Sequence, residues 1–217
     1  DSDSDGMHDS YEIDHGLNPL DAADAEIDSD GDGFTNFTEY QAGSDPDNIL
    51  STLPPIPPVI ISQQTSDIIY DPAGGKIYAS IPSGAASGAD SIAIIDPVSG
   101  QLETTIPIGS DPGPLAISAD GQFLYVGLNG SAKVRQFDIA SQTAGLEFSL
   151  GSDPLSGPYF AEDIEVLPGD ASAIAVSRKY SGISPRHAGV GVYDSGVPRA
   201  NVTDGHTGSN VIAFGQS

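Results

Sequence analysis

Two twelve-residue stretches, DSDSDGMHDSYE at 1–12 and DSDGDGFTNFTE at 28–39, share one pattern of aspartates, a glycine and a closing glutamate. Both read D-x-D-x-D-G-x5-E, and each place has a mechanical reason if the occupant is a hard cation held by oxygen. Alternate positions bring short carboxylates to one side of a tight turn: Asp1, Asp3 and Asp5 in the first stretch, Asp28, Asp30 and Asp32 in the second. Gly6 and Gly33 take the sharp backbone turn that a Cβ opposes. Met7 and Phe34 follow, each placed to offer a main-chain carbonyl, while Asp9 and Asn36 stand where a ligand acts through water. Glu12 and Glu39 close the twelve with a side chain long enough to chelate through both oxygens. All-oxygen ligands of this number suit Ca2+, about two ions in all, better than the smaller and strictly octahedral magnesium.

The charges themselves argue for an occupant. Two carboxylates about 4 Å apart repel by roughly 4 kcal/mol at an effective dielectric near 20. Each loop gathers several of them, so an empty loop is expected to expand or disorder. Asp14, Asp21 and Asp24 are additional ligand candidates, and His8 and His15 are expected as solvated surface residues.

Composition restricts the alternatives. The 217 residues carry a net charge of -24, and residues 1–50 hold 15 of the 31 acidic side chains with no Lys or Arg. Phosphate neutralisation needs a basic face that this surface lacks, which excludes nucleic acid as a partner. Without cysteine there is neither a disulfide framework nor a thiolate metal site. No apolar run approaches the roughly 18–20 residues of a membrane span. Asn36, Asn129 and Asn201 head formal glycosylation sequons.

The elements that must position the loops are short. DSYEIDHG and NFTEYQAG leave each loop as helices of about two turns before Gly16 and Gly43 stop them, and Asn18-Pro19 and Asp45-Pro46 follow at equal spacing. An ordinary EF-hand has a full helix on each side and an apolar eighth position, where this chain has His8 and Thr35. Residues 1–48 instead resemble the bacterial thrombospondin type 3 repeats and, more distantly, the dockerin pair. The first resemblance implies a compact, calcium-ordered spacer in extracellular or cell-surface proteins.

Residues 49–65 carry Pro54, Pro55, Pro57 and Pro58, a density that favours an extended polyproline II linker. From 66 to 217 the text alternates apolar and polar residues with a period of about 47–49. IIYDPAGGKIYAS at 68–80 aligns with LAISADGQFLYVG at 115–127 and IEVLPGDASAIAV at 164–176, and VIAF at 211–214 begins a further unit. Four short strands per unit are expected: 66–71, 76–82, 91–96 and 103–108, then 114–118, 123–128, 133–139 and 145–150. The third unit reads 162–167, 172–178, 189–194 and a poor fourth near 198–203. Four antiparallel strands per repeat of this length is the pattern of a β-propeller blade, and a sandwich is the alternative. The fold class is therefore mainly β: a partial β-propeller of about three four-stranded blades, preceded by a small calcium-loop module with short helices.

TTIPIGSDPGPLAISADGQFLYVGLNGSAKVRQFDIAS at 104–141 is similar to the repeat of the YVTN-type bacterial propellers, which are related to lactonases. Propellers of that type have about seven blades, so the chain is expected to be a piece of a longer polypeptide or to be completed by another chain. Arg178, Lys179, Arg186 and Arg199, with Tyr180 and His187, lie on one stretch that reads either as a site for an anionic group or sugar or as a solvated loop whose bases balance nearby acids. Asp96 and Asp138, at strand ends, read as turn caps.

The functional expectation is a secreted or cell-surface, non-enzymatic calcium-binding protein, in which the propeller meets a protein or glycan partner. A lactonase-like hydrolase, its site on blades outside this sequence, and a dockerin-like docking module are the alternatives.

Overall fold

The computed structural model describes residues 1–51, 60–203 and 211–214. Chain contacts divide it into two compact units, Asp1–Pro58 and Val59–Ser217. The polyproline stretch Pro54–Pro58 lies outside the described residues.

In the first unit, α1 (Asp9–Asp14) and α2 (Asn36–Ala42) flank a single turn of 3₁₀ helix at Asp24–Glu26. Thr35 caps α2 by accepting the Thr38 N–H at 3.3 Å, and Gly43 ends it in the left-handed conformation at φ 74°. Leu17 N–H reaches back to the Glu12 carbonyl at 2.7 Å, and Ser44 N–H to the Glu39 carbonyl at 3.1 Å. These two closures stand 27 residues apart, so the unit is one motif built twice. Rings replace aliphatic side chains between the copies: Tyr11 lies 4.7 Å from Tyr40 and 4.4 Å from His15.

Among its described residues the second unit holds three four-stranded antiparallel sheets in the strand order of a meander. Blade one contains β1 (Asp67–Asp71), β2 (Lys76–Ile81), β3 (Ser91–Ile95) and β4 (Leu102–Pro107). Blade two contains β5 (Pro112–Ile117), β6 (Phe123–Leu128), β7 (Lys133–Asp138) and β8 (Thr143–Ser149). A hairpin of β9 (Ser152–Asp153) and β10 (Gly157–Pro158), which the sequence pattern does not announce, precedes blade three. That blade contains β11 (Phe160–Val166), β12 (Ala173–Lys179), β13 (His187–Asp194) and β14 (Val197–Pro198). Most expected strands fall within two residues of these bounds. The exception is the fourth strand of blade three, which keeps only two ladder residues. Beyond them Arg199 N–H still reaches the Val192 carbonyl at 2.8 Å, and Thr203 N–H the Val190 carbonyl at 3.1 Å.

Period-2 alternation explains why the inner strands are apolar on both faces. On β6, Leu124, Val126 and Leu128 join Tyr78, Ile92 and Ile94 of blade one in a core that also buries Phe137. Tyr125 points the other way and packs with Ile164, Val166, Ile174, Val176 and Tyr193 of blade three. Between these faces, Gly127 permits close approach: a Cβ there would meet Pro114 at 2.8 Å and Ala161 at 3.0 Å. Buried phenols tie the same two blades, since Tyr125 donates to the Ala171 carbonyl at 2.8 Å and Tyr193 to the Leu150 carbonyl at 2.7 Å.

A second tie recurs with the repeat. Asp67 on β1 accepts its neighbour's N–H, from Ile68 at 2.8 Å, and the Leu115 N–H of the next blade at 2.9 Å. Asp163 on β11 does the same with Ile164 at 3.0 Å and Ile212 at 2.8 Å. Ile212 thus stands where Leu115 stands, two blades later, which is the place the repeat assigns to VIAF. Blade two has Pro114 at the equivalent position and so lacks this tie. Hydrogen bonds to a charged acceptor contribute about 1.5–3 kcal/mol. Asp67→Ala should accordingly destabilise the propeller unit by that order, seen as a lower urea midpoint at an unchanged m-value, which equilibrium denaturation of the intact chain would measure.

Asp96 accepts N–H bonds from Val98 at 3.1 Å and Ser99 at 2.8 Å, and Asp138 accepts from Ser141 at 2.7 Å, so both cap turns. The Ser99 bonds, with Lys76 at 3.1 Å, hold the Asp96 carboxyl down to about 2. The basic stretch is mostly strand, and its charges are paired. Lys179 lies 3.5 Å and Arg186 2.5 Å from Glu162, and Arg199 bonds Asp194 through two nitrogens at 2.8 and 2.7 Å. Arg178 is buried, donates to the Ala188 carbonyl at 3.0 Å and stacks over the Tyr159 ring at 4.4 Å. Among the described residues, no helix is long and apolar enough to cross a membrane.

Candidate metal centre

The two acidic loops are braced by their own aspartates. Asp3 accepts the Asp5 N–H at 3.3 Å and Asp5 accepts the Met7 N–H at 2.7 Å. In the second loop Asp30 accepts the Asp32 N–H at 3.1 Å and Asp32 the Phe34 N–H at 2.9 Å. Asp28 adds bonds from Gly31 at 2.7 Å and Gly33 at 2.9 Å. In Asp3, Asp5, Asp30 and Asp32 the Oδ1 atom does this work. The Oδ2 atom of each is buried without a hydrogen-bond partner in the protein. Gly6 and Gly33 occupy matching turns at φ 100° and 99°, a region L side chains avoid.

Carboxylate oxygens converge in both loops. Asp1, Asp3 and Asp5 bring theirs within 4.8 Å of one another, as do Asp28, Asp30 and Asp32. Glu12 and Glu39, each one turn into its helix, are both 0% exposed. Neither oxygen of Glu12 has a partner; Glu39 Oε1 accepts the Ser44 hydroxyl at 3.1 Å and Oε2 has none. Burial, then the charges of Asp3, Asp5, Asp24 and Asp9, push the Glu12 carboxyl up. Burial likewise raises Glu39, against the Ser44 bond, with Asp30, Asp32 and Asp28 adding to it. Burying an unpaired carboxylate costs several kcal/mol unless a cation or proton compensates it. Oxygen-only donors, inward and unpartnered, are what a divalent hard cation needs, so the residues fit calcium.

Other expected ligands are placed differently. Asp9 turns away onto the loop's first residues, accepting from Ser2 N at 2.7 Å and Ser2 Oγ at 2.6 Å and pairing with the Asp1 amino group at 2.9 Å. The Ser2 bonds hold it down to about 2. Asn36, at the same loop position, is 0% exposed and donates through Nδ2 to the Asp24 carbonyl at 2.8 Å, while its Oδ1 is buried without a partner, as a ligand oxygen would be. Its burial also closes that sequon to glycosylation. Met7 is buried and Phe34 is 37% exposed. His8 is exposed, whereas His15 is half-buried with Nδ1 3.4 Å from both Asp45 and Asp47, so the expectation of two solvated histidines holds only for His8. Asp14 and Asp21 are exposed, but Asp24 is buried, and one of its oxygens lies within 4.8 Å of oxygens of Asp5 and Glu12.

The family model described as the bacterial TSP3 repeat matches residues 1–22 and again 28–48. The N-terminal unit therefore carries two such repeats, and the repeat implies calcium binding. Among solved structures, the chain is similar to one titled "Structure of U3-55K", at 16% identity and a TM-score of 0.51, over 69% of this chain and 42% of that one. The WD40 repeats of RRP9 match at 16% and 0.51, over 69% and 41%. The β-propeller domain of Myceliophteria thermophila Cps50 (Swd1) matches at 16% and 0.50, over 68% and 41%. At such identity the likeness is one of fold, and the fold is a propeller; the chain spans about two fifths of the length of each. No curated protein matches the chain.

Proposed function

We propose that this chain is an extracellular or cell-surface calcium-binding protein, non-enzymatic, in which about two Ca2+ ions order the N-terminal repeats and the propeller serves adhesion or scaffolding. The observation that carries the reading is the set of buried, unpartnered oxygens: Asp3, Asp5 and Glu12 in one loop, Asp30, Asp32 and Glu39 in the other. With no Lys or Arg among residues 1–50, no lysine or arginine of that segment can neutralise them.

Calcium then acts through folding linkage. An ion bound only by the ordered loop stabilises it by RT ln(1 + [L]/Kd). With Kd of order 10⁻⁴ M and calcium near 10⁻³ M, each site contributes about 1.4 kcal/mol. Sites of that assumed affinity would be filled at the calcium concentrations found outside cells, the setting proposed. For the partner, a polar cleft of about 420 Å³ on the propeller is lined by Asp111, Asn129, Lys179, Tyr180 and Arg186. Its hydroxyl, amide and charged groups suit a glycan or a polar protein segment.

Calorimetric titration of the intact chain with calcium, alongside circular dichroism in chelator and in calcium, tests the proposal. Two ions bound with a gain of helix is the expected result. Silence at millimolar calcium would reduce the loops to a solvated acidic segment.

A further inference from the structure

Asp24 belongs to neither twelve-residue loop, yet it is the only carboxylate outside them, among the described residues, that combines a buried unpartnered oxygen with an oxygen within 4.8 Å of loop carboxylates. Resting on the calcium reading, we infer that Asp24 is a direct ligand of the first calcium site, delivered by the segment leading into the second repeat, and that it makes the two sites unequal.

The two oxygens of Asp24 have separate tasks. Oδ2 accepts the Asn18 N–H at 2.7 Å, which folds the turn after α1. Oδ1 is buried without a partner, with the side chain near Asp5 and the doubly unpartnered Glu12. The internal repeat supplies the control. Twenty-seven residues on, Asn18 becomes Asp45 and Asp24 becomes Ser51. Ser51 Oγ accepts the Asp45 N–H at 2.9 Å, so the hydroxyl performs the structural task alone. A carboxylate at position 24 therefore exceeds what the turn requires, and one of its oxygens lies within 4.8 Å of oxygens of Asp5 and Glu12. The first site gathers Asp1, Asp3, Asp5, Glu12 and Asp24, against Asp28, Asp30, Asp32 and Glu39 in the second.

The second repeat holds this ligand in place. Asn36, the first residue of α2, donates through Nδ2 to the Asp24 carbonyl at 2.8 Å and through its N–H to the Ile27 carbonyl at 2.8 Å. The next residue, Phe37, packs on Gly6, where a Cβ would stand 2.9 Å from the ring. One extra charged ligand strengthens an oxygen site, because calcium affinity follows ligand charge and count.

The test compares the intact chain with Asp24→Asn, which keeps a carbonyl oxygen for Asn18 N–H and removes the charge. By calorimetry the wild type should show two unequal calcium sites. The variant should lose at least tenfold at the tighter site and less than about twofold at the other. Luminescence lifetimes of Tb3+ in H2O and D2O give a readout independent of affinity: one ion should gain a coordinated water in the variant. If calcium binds the wild type and Asp24→Asn titrates identically with no added water, Asp24 is no ligand, though the calcium reading survives. Equal weakening of both sites with unchanged hydration would make Asp24 a purely structural residue and overturn the inference. Failure of the wild type to bind calcium or Tb3+ would instead remove the calcium reading and this inference together. Asp24→Glu, which retains the charge, should restore unequal sites even if Asp24→Asn is poorly folded; equal sites in Asp24→Glu would count against ligation.

Discussion

The double variant Asp3→Ala, Asp30→Ala should lose the calcium-induced gain of helix in the intact chain while its β-sheet spectrum stays as in the wild type. Each substitution deletes one inward Oδ2 atom and, with it, the Oδ1 brace on the residue two places on. Disturbing a residue that merely supports a ligand costs about 10–100-fold in metal affinity. Removing a ligand costs at least that much, which moves sites of order 10⁻⁴–10⁻³ M beyond millimolar calcium. In chelator the sign reverses. The variant has two fewer charges crowding Glu12 and Glu39, so its calcium-free loops should be no less ordered than those of the wild type. Circular dichroism at matched calcium and chelator concentrations distinguishes these outcomes. A calcium response retained in full would refute the ligand role of both residues.

Legibility from sequence followed the physics of each unit. A calcium loop is local: twelve residues specify its turn, its glycine and most of its donors, so the pattern announces itself. What escapes is any contact made across the 27-residue repeat. In sequence Asp24 is one of three additional ligand candidates, with nothing to separate it from Asp14 and Asp21, because its burial depends on Asn18 and Asn36 closing around it. Asn36 reads as a water-bridged ligand by loop position, and its buried Oδ1 is free for that role while its Nδ2 holds the first repeat, a second task that loop position does not announce. The closest available hint was the Asp24-to-Ser51 difference at equal register, which carries meaning only once the turn geometry is known.

In the propeller unit the balance differs. Alternation and turn residues place β1 to β8 well, since each strand needs an apolar face and each turn a glycine or aspartate. The β9–β10 hairpin is too short to show a period, and β14 has a polar, proline-bearing segment whose pairing rests on backbone bonds to Val190 and Val192. The Asp67 and Asp163 ties were invisible for another reason. An aspartate before an apolar strand reads as a turn residue unless the neighbouring blade is seen to donate to it.

Phe137→Ala should produce the opposite pattern to the loop variant: a large loss of propeller stability with calcium binding untouched. Phe137 on β7 is 0% exposed and sits in the core that blade two shares with Tyr78, Ile92 and Ile94 of blade one. Truncating a buried phenylalanine costs about 3–5 kcal/mol, from lost transfer energy and the cavity left behind. For a unit of this size that corresponds to a fall of roughly 6–20 °C in Tm. Tyr78 and Leu124 are themselves held by ladders on both sides, so the site has little freedom to collapse, which favours the upper part of that range. Among its described residues the first unit contains no comparable apolar core; its buried side chains include Glu12, Asp24, Asn36 and Glu39. On the proposed calcium reading its order comes from the ion, and the order of the propeller from packing. Melting the intact Phe137→Ala chain at saturating calcium, with calcium titrated separately below the transition, checks both halves. A calcium affinity that fell with propeller stability would show the two units to be energetically coupled, and would shift the role of the ion from ordering its own loops to stabilising the whole chain.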